Sequence, residues 1–377
     1  MTLLPLQGFA IGITADRRWA EQAELFERRG ATVLHGPTIA TQYLASDEAL
    51  RRATELVIAG PPDYVVATTG IGVRAWFEAA QAWGVADRLL DALGSSRVVT
   101  RGPKATAAAQ VAGLRVWSSP PSERLDDVVA LLEAEGVSGR TVAFQHYGKR
   151  DEHAVALLAA AGADVVEVPV YRYRPPADGT RARALVDAVC DRHLDAVTFT
   201  SAPAVEHLVV AAGEVGRAGQ LLHAFNEHDV VAACIGPVCA EAARAVGIDR
   251  PVAPALGRLG LLVRALTDVL QTRRRALCCG GVPVVVQGRA VTVNGVALGL
   301  TPGERAVLDV LLRHQGVVVS RTAMVRATGT GSTSAHALEA TIARLRRHLG
   351  AAGPSIRAVR GRGYCLDADE CEGARRP

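Results

Sequence analysis

Up to about residue 270 the chain alternates short Val-rich apolar runs with Ala- and Leu-rich stretches, and from Val282 onward that pattern stops. The runs FAIGIT, DYVVATT, SRVVTRG, TVAFQHYG, AVTFTS and VVAACIG have apolar, mostly Val-rich centres, with no polar residue at every second position. A strand that reads this way is buried on both faces, and strands interleaved with helices form parallel sheets covered by helices on each side. Helices are expected through Trp19–Arg29, from Val73, near Leu125–Ala134, from Glu152, from Ala204 and from Val238. Hydrophobic residues make up 49% of the chain but aromatic residues only 4%, so Ala, Val and Leu must fill the core. At 377 residues, two or three domains are expected.

The alternating region is also internally duplicated. DYVVATTGIGVRAWF is similar to DAVTFTSAPAVEHLV, and SRVVTRGPKATAAAQVAGL to VVAACIGPVCAEAARAVGI. Each pair runs strand, small polar turn, helix, then strand, Gly-Pro turn, Ala-rich helix. So long a period argues for two similar α/β lobes rather than a solenoid. Ligands of such sheets sit at the carboxyl ends of the strands, which would put a site in a cleft between lobes. HGPTIAT and PVYRYRPP are extended and Pro-bounded, and read as two antiparallel connectors. On that reading residues 1–270 form a two-lobed domain. Lobe one is 1–38 plus 172–268, and lobe two, 39–171, is inserted within it.

The charge cluster and Gly-Gly of TRRRALCCGG suggest a linker over 271–281. Residues 282–368 then read as a separate domain, with two alternating strands, three helical stretches and a strand-turn-strand ending. Thr301 followed by Glu304 is a capping-box signature. In STSAHALEATIARLRRHLG, Leu338, Ile342, Leu345 and Leu349 share one helical face. No acidic residue lies between Ala340 and Leu366, whereas Arg344, Arg346, Arg347, Arg357, Arg360 and Arg362 do. The net charge is only +4, so this is a local one-sided basic surface, the footprint of phosphate binding.

The seven cysteines are odd in number, irregularly spaced and without a CxxC pair. They support neither a zinc ribbon nor a disulfide framework, and free thiols in a reducing compartment fit them best. The first residues have no basic region before the apolar stretch and read as a strand rather than a signal peptide. No run approaches a bilayer span. A cytoplasmic protein without metal or membrane attachment is expected.

The C-terminal residues resemble the OmpR-type winged-helix effector domain of response regulators. The likeness is carried by the L-T-x-x-E of Leu300–Glu304, the V-V-V-S-R of Val317–Arg321, the x-L-R-x-x-L of Arg344–Leu349 and the R-G-x-G-Y of Arg360–Tyr364. It implies a helix in the major groove carrying Arg344, Arg346 and Arg347, and a wing carrying Arg360 and Arg362. It also implies DNA as partner and a dimer on DNA. The phospho-receiver domain usual in such proteins is replaced by the two lobes.

Those lobes resemble uroporphyrinogen-III synthase, through TFTSAPAVEHL, ACIGPVCAEAARAVGI, RGPKATAAAQVAGL and VPVYRYRPP. The family closes linear hydroxymethylbilane into a ring while inverting its last pyrrole, with no metal and no cofactor. Water must leave from a hydroxymethyl group, which an acid assists; a cationic azafulvene must be held folded; and many carboxylates must be bound. The resemblance places Tyr171 at the family's tyrosine, as candidate acid. It places Thr68, Thr69 and Gly70, and Thr200, Ser201 and Ala202, at two ligand-facing turns. Gly102, Pro103 and Lys104, and Gly236, Pro237, Val238 and Cys239, start two helices that present N–H groups to substrate. Lys104 and Lys149 are the chain's two lysines.

Alternatives stand beside these roles: Tyr171 as a connector tyrosine, and His146 as either a substrate contact or a structural residue. The sequence also departs from the family, which has a hydroxyl three residues after each Gly-Pro glycine, where this chain has Ala105 and Cys239, with Thr106 displaced by one. Three readings follow: a bifunctional cyclase and DNA-binding protein, a transcription factor whose lobes only sense a tetrapyrrole, another anionic metabolite or a protein, and a synthase with a scaffolding C-terminal domain.

Overall fold

The computed structural model describes residues 3–227, 230–327 and 335–370; Ser332, Thr333, Ser334 and Cys371, read above, lie outside them. The chain folds into two compact units, one of residues 1–38 with 178–377 and one of residues 39–177.

In the first unit, strands Val231–Cys234, Ala196–Phe199, Ala10–Ile13 and Thr32–His35 form a parallel sheet in that order. Strands Ala196–Phe199 and Val231–Cys234 are buried along their whole length, as their mostly apolar runs require. Leu6, Phe9, Ile11, Phe26, Leu262 and Leu266 form the core along one face.

The second unit has a five-stranded parallel sheet in the order Val116–Ser118, Arg97–Thr100, Tyr64–Ala67, Thr141–Gln145, Asp164–Val168. The two Pro-bounded stretches pair antiparallel, Ala40–Tyr43 with Tyr171–Arg174. Both strands of that pair fall in the second unit, which runs to residue 177.

The C-terminal domain is a winged helix. Helices Pro302–Arg313, Arg321–Ala327 and Ala335–Leu349 pack with a hairpin, Ile356–Val359 and Gly363–Leu366, around Leu308, Leu311, Met324, Leu345 and Tyr364. Thr301 and Glu304 form the expected capping box. The expected linker is in part a strand. Arg275–Cys279 pairs with both Val282–Gln287 and Asp369–Glu370 in a five-stranded antiparallel sheet. Leu277 and Cys279 alternate into the core. Gly280 and Gly281, at φ 60° and 82°, form the two-residue turn that tight hairpins demand, so the Gly-Gly pair is a turn and not a tether.

This antiparallel sheet is docked on the first unit's parallel sheet. The Gln287 amide nitrogen donates to the carbonyls of Leu4 (2.8 Å) and Gln7 (2.9 Å). Gln271, at the end of helix Leu259–Gln271, donates to Pro5 and to the Gln287 amide oxygen. The Arg289 backbone N–H donates to Gly8 (2.6 Å), and its guanidinium reaches Asp195 (3.0 Å) and the His193 carbonyl (2.6 Å). Backbones approach so closely that a Cβ on Gly288 would lie 2.4 Å from the Gly8 carbonyl oxygen.

Candidate functional site

The carboxyl ends of Tyr64–Ala67 and Thr141–Gln145, adjacent in the sheet, deliver Thr68, Thr69 and Gln145 to one place. The buried Thr68 donates its hydroxyl hydrogen to the Gln145 main-chain carbonyl (2.8 Å). Thr69 is the N-cap of helix Gly70–Ala82 and accepts from the Gly72 N–H at 3.2 Å. The Gln145 side-chain nitrogen lies 3.2 Å from both threonine hydroxyls. The Thr69 and Tyr171 oxygens are 3.3 Å apart, so the tyrosine singled out in the sequence joins this cluster. Tyr171 is 1% exposed, its ring packed edge-on against Tyr173. It nonetheless borders a pocket of ≈ 400 Å³ whose lining includes His146, Lys149, Arg150, Glu167 and Arg172.

His146 is fixed within that lining. Its Nε2 is 2.8 Å from Glu167, whose carboxylate also receives a two-pronged Arg150 (2.6 and 2.6 Å). Burial pushes the imidazole below its ordinary value, although Glu167 pulls the other way. The Arg150 hydrogen bonds, followed by His146, hold the Glu167 carboxyl low. These contacts favour the structural reading of His146.

Gly70 is where two helices meet: a Cβ there would fall 2.2 Å from the Lys104 carbonyl oxygen. Gly102 is the N-cap of helix Pro103–Val111 and supplies no side-chain cap, and Pro103 and Lys104 are exposed. Thr106 bonds to Thr100 (2.6 Å) and to the Gly102 carbonyl. It therefore faces the end of its own sheet. Ala105, at the position of the missing hydroxyl, is buried.

The first unit repeats the arrangement. Thr200 and Ser201 follow strand Ala196–Phe199, and Ser201 starts helix Ala202–Glu214 without a side-chain capping bond. Gly236 caps helix Pro237–Ala245 equally bare, with Pro237 and Val238 exposed. First-turn N–H groups left without a side-chain cap are the donors a helix offers to carboxylates. Cys239 does not join them. It is buried, and its thiol donates to the Phe199 carbonyl (3.6 Å). Residue 239 lies on the short apolar helix face that packs on the strand, so its thiol is turned toward the Phe199 strand end.

In the winged helix, Leu338, Ile342, Leu345 and Leu349 form the buried stripe of helix Ala335–Leu349. At about 100° per residue Arg347 lies roughly opposite that stripe, and it is exposed. Arg344 is exposed too, with its guanidinium 3.7 Å from the buried Glu304. Arg360 and Arg362 flank Gly361 (φ 73°) at the exposed hairpin tip. Arg346 departs from expectation: it donates twice to the Ile356 carbonyl (2.9 and 2.5 Å) and lies over the Tyr364 ring. Its position on the helix, one residue before the outward Arg347, aims it at the hairpin, which it ties to the helix.

Residues 20–259 match the family model described as uroporphyrinogen-III synthase HemD. The chain belongs to the uroporphyrinogen-III synthase family. Residues 295–366 match a second model, the C-terminal domain of transcriptional regulatory proteins, so the synthase-family lobes are fused to an OmpR-type domain. The Bacillus subtilis protein YjjA is 30% identical over 271 residues, which is 71% of this chain and 98% of that protein. A mutant uroporphyrinogen III synthase from Thermus thermophilus superposes with a TM-score of 0.59 at 29% identity, covering 70% of this chain and 99% of that one. The response regulator protein PmrA of Pseudomonas aeruginosa is 37% identical over 122 residues, 30% of this chain and 51% of that protein. Among the described residues no helix is long and apolar enough to cross a membrane.

Gln145 and Gly72 were not singled out by sequence reading. Their only trace is the Gly-Ile-Gly spacing after Thr69, which admits many explanations.

Proposed function

We propose that the protein is a DNA-binding transcription regulator whose synthase-family lobes bind hydroxymethylbilane and close it to uroporphyrinogen III. The DNA half is supported by the exposed Arg347, Arg360 and Arg362 on a helix and wing of the OmpR type. Arg344 belongs to the same surface, and two chains would sit on adjacent half-sites.

The cyclising half is supported by the Thr69–Tyr171 contact beside a helix N-terminus. Tyr171 gives its proton to the departing hydroxyl, the C–O bond breaks, and water leaves. Bare helix N-termini at Gly102, Ser201 and Gly236, with Lys104, hold substrate carboxylates. In this reading Thr68, Gly70, Ala202 and Pro237 shape the turns.

A second reading is favoured by one observation: residues 105 and 239 carry no hydroxyl and are buried. On it the lobes only sense a tetrapyrrole or related anion. A coupled assay separates the two, with hydroxymethylbilane generated by its synthase and the product isomers resolved by chromatography. Type III isomer above the spontaneous type I background, lost in Tyr171→Phe, supports the cyclase. Type I alone, from folded protein that still binds DNA, leaves the sensor.

A further inference from the structure

The proton bookkeeping around Thr69 goes further than the proximity of Tyr171. We propose that Gln145, given room by Gly72, sets the direction of the Thr69–Tyr171 hydrogen bond: Thr69 donates, the Tyr171 oxygen accepts, and the phenolic hydrogen is not used on Thr69. The inference deepens the reading of Tyr171 as the cyclisation acid and rests on it. Gln145 and Gly72 are positioning residues in this scheme.

The first step fixes the amide. The one hydrogen of Thr68 is used on the Gln145 main-chain carbonyl. Whatever side-chain atom of Gln145 faces the Thr68 oxygen at 3.2 Å must therefore donate. The same atom lies 3.3 Å from the His146 carbonyl oxygen, which can only accept. Both neighbours demand the nitrogen, so the amide has one orientation.

That nitrogen, its two hydrogens shared among the Thr68, His146 and Thr69 oxygens, is 3.2 Å from the Thr69 hydroxyl, and the Gly72 N–H is 3.2 Å away from the same oxygen. Neither can accept. The Thr69 hydrogen therefore goes to the Tyr171 oxygen, 3.3 Å away.

Two further observations separate this arrangement from simple packing. A Cβ on Gly72 would lie 1.8 Å from the Gln145 nitrogen, in a helix where glycine is unfavourable and where its φ is not positive. Among the described residues the amide's own oxygen is buried without a partner. An apolar side chain of the same length would fill the space and leave no such group, so an unmatched acceptor points to a role for the donor end.

A donated hydrogen bond stabilises the phenolate over the phenol. The phenolic proton passes to the leaving hydroxyl, water departs, and the phenolate recovers the proton released by the pyrrole carbon that closes the ring.

The test uses the intact chain labelled with tyrosine carrying carbon-13 at Cζ, with the Tyr171 signal identified by its loss in Tyr171→Phe. Gln145→Met and Gly72→Ala should each move the Tyr171 titration to higher pH. In the cyclisation assay they should lower kcat roughly tenfold with KM little changed. A Tyr171 titration that stays at the wild-type midpoint in a folded variant of either kind overturns the proposal. If Gln145→Met does not fold, Gly72→Ala alone decides it. Failure of the wild type to make type III isomer would remove the acid role, while the titration would still report the direction of the bond.

Discussion

Replacing Gln287 by Ala tests whether the winged helix is clamped to the parallel sheet of its own unit. The side chain is 1% exposed and donates to two main-chain carbonyls, those of Leu4 and Gln7. Two neutral hydrogen bonds contribute about 1 kcal/mol each. Leu4 keeps a second donor, the Gln7 N–H at 3.0 Å. The Gln7 carbonyl has Gln287 as its donor and is only part-buried, so leaving it without one adds about 1 kcal/mol, the low end of that penalty. A loss of about 3 kcal/mol is expected, concentrated at the seam. Arg289→Ala should do less, about 1 kcal/mol, because its side chain is 48% exposed and solvent screens the Asp195 pair. Amide hydrogen exchange over residues 6–13 and 284–291 reads the seam directly, and trypsin cleavage after the exposed Arg274 reports its opening. If Gln287→Ala leaves both unchanged, or perturbs them less than Arg289→Ala, the clamp is not held as described.

Arg347→Ala and Arg362→Ala should weaken DNA binding by about 1–3 kcal/mol if they read bases, or lower the salt slope by about 1 if they meet phosphate; titration of a selected genomic fragment at several salt concentrations distinguishes the two. Arg346→Ala should instead lower the melting temperature of the domain, since its guanidinium holds the Ile356 carbonyl. Acid should destabilise the second unit in two stages. His146 is held below 6.5, so as pH falls through that value the unfolded chain takes a proton that the folded unit resists; Glu167 is held below 4.5, so its stabilisation is present above that value and is lost as pH falls further. Urea midpoints of His146→Gln between pH 7 and 5 should be flatter than those of the wild type.

The parallel sheets were legible because buried strands leave unbroken apolar runs, and the duplication because each Gly-Pro turn starts a helix at the same point in both units. The connector pair was legible from its flanking prolines. The strand Arg275–Cys279 was not: only Leu277 and Cys279 face the core, and the arginines before them and the glycines after them mask so short an alternation. Tyr171 could be placed by resemblance, but its neighbour Gln145 could not, since an amide at a strand end becomes informative only when a glycine 73 positions earlier is folded against it. The directions of Cys239 and Arg346 were not legible, for one reason. Each lies on a helix face whose direction depends on the element packed beneath it, here the Phe199 strand end and the Ile356 hairpin.

The docked seam has a thermodynamic consequence. Strands Ala10–Ile13 and Ala196–Phe199, paired in register, start beside it at Gly8 and Asp195 and end at Thr14 and Thr200. Four residues of extended chain, about 13 Å, separate the turn proposed to meet a ligand from the surface on which the antiparallel sheet of the winged-helix domain is docked. A molecule that changes operator affinity through those strands must have its own affinity changed by operator DNA by the same factor. For any such molecule, operator DNA would be an effector of the lobe as much as the lobe would be an effector at the operator.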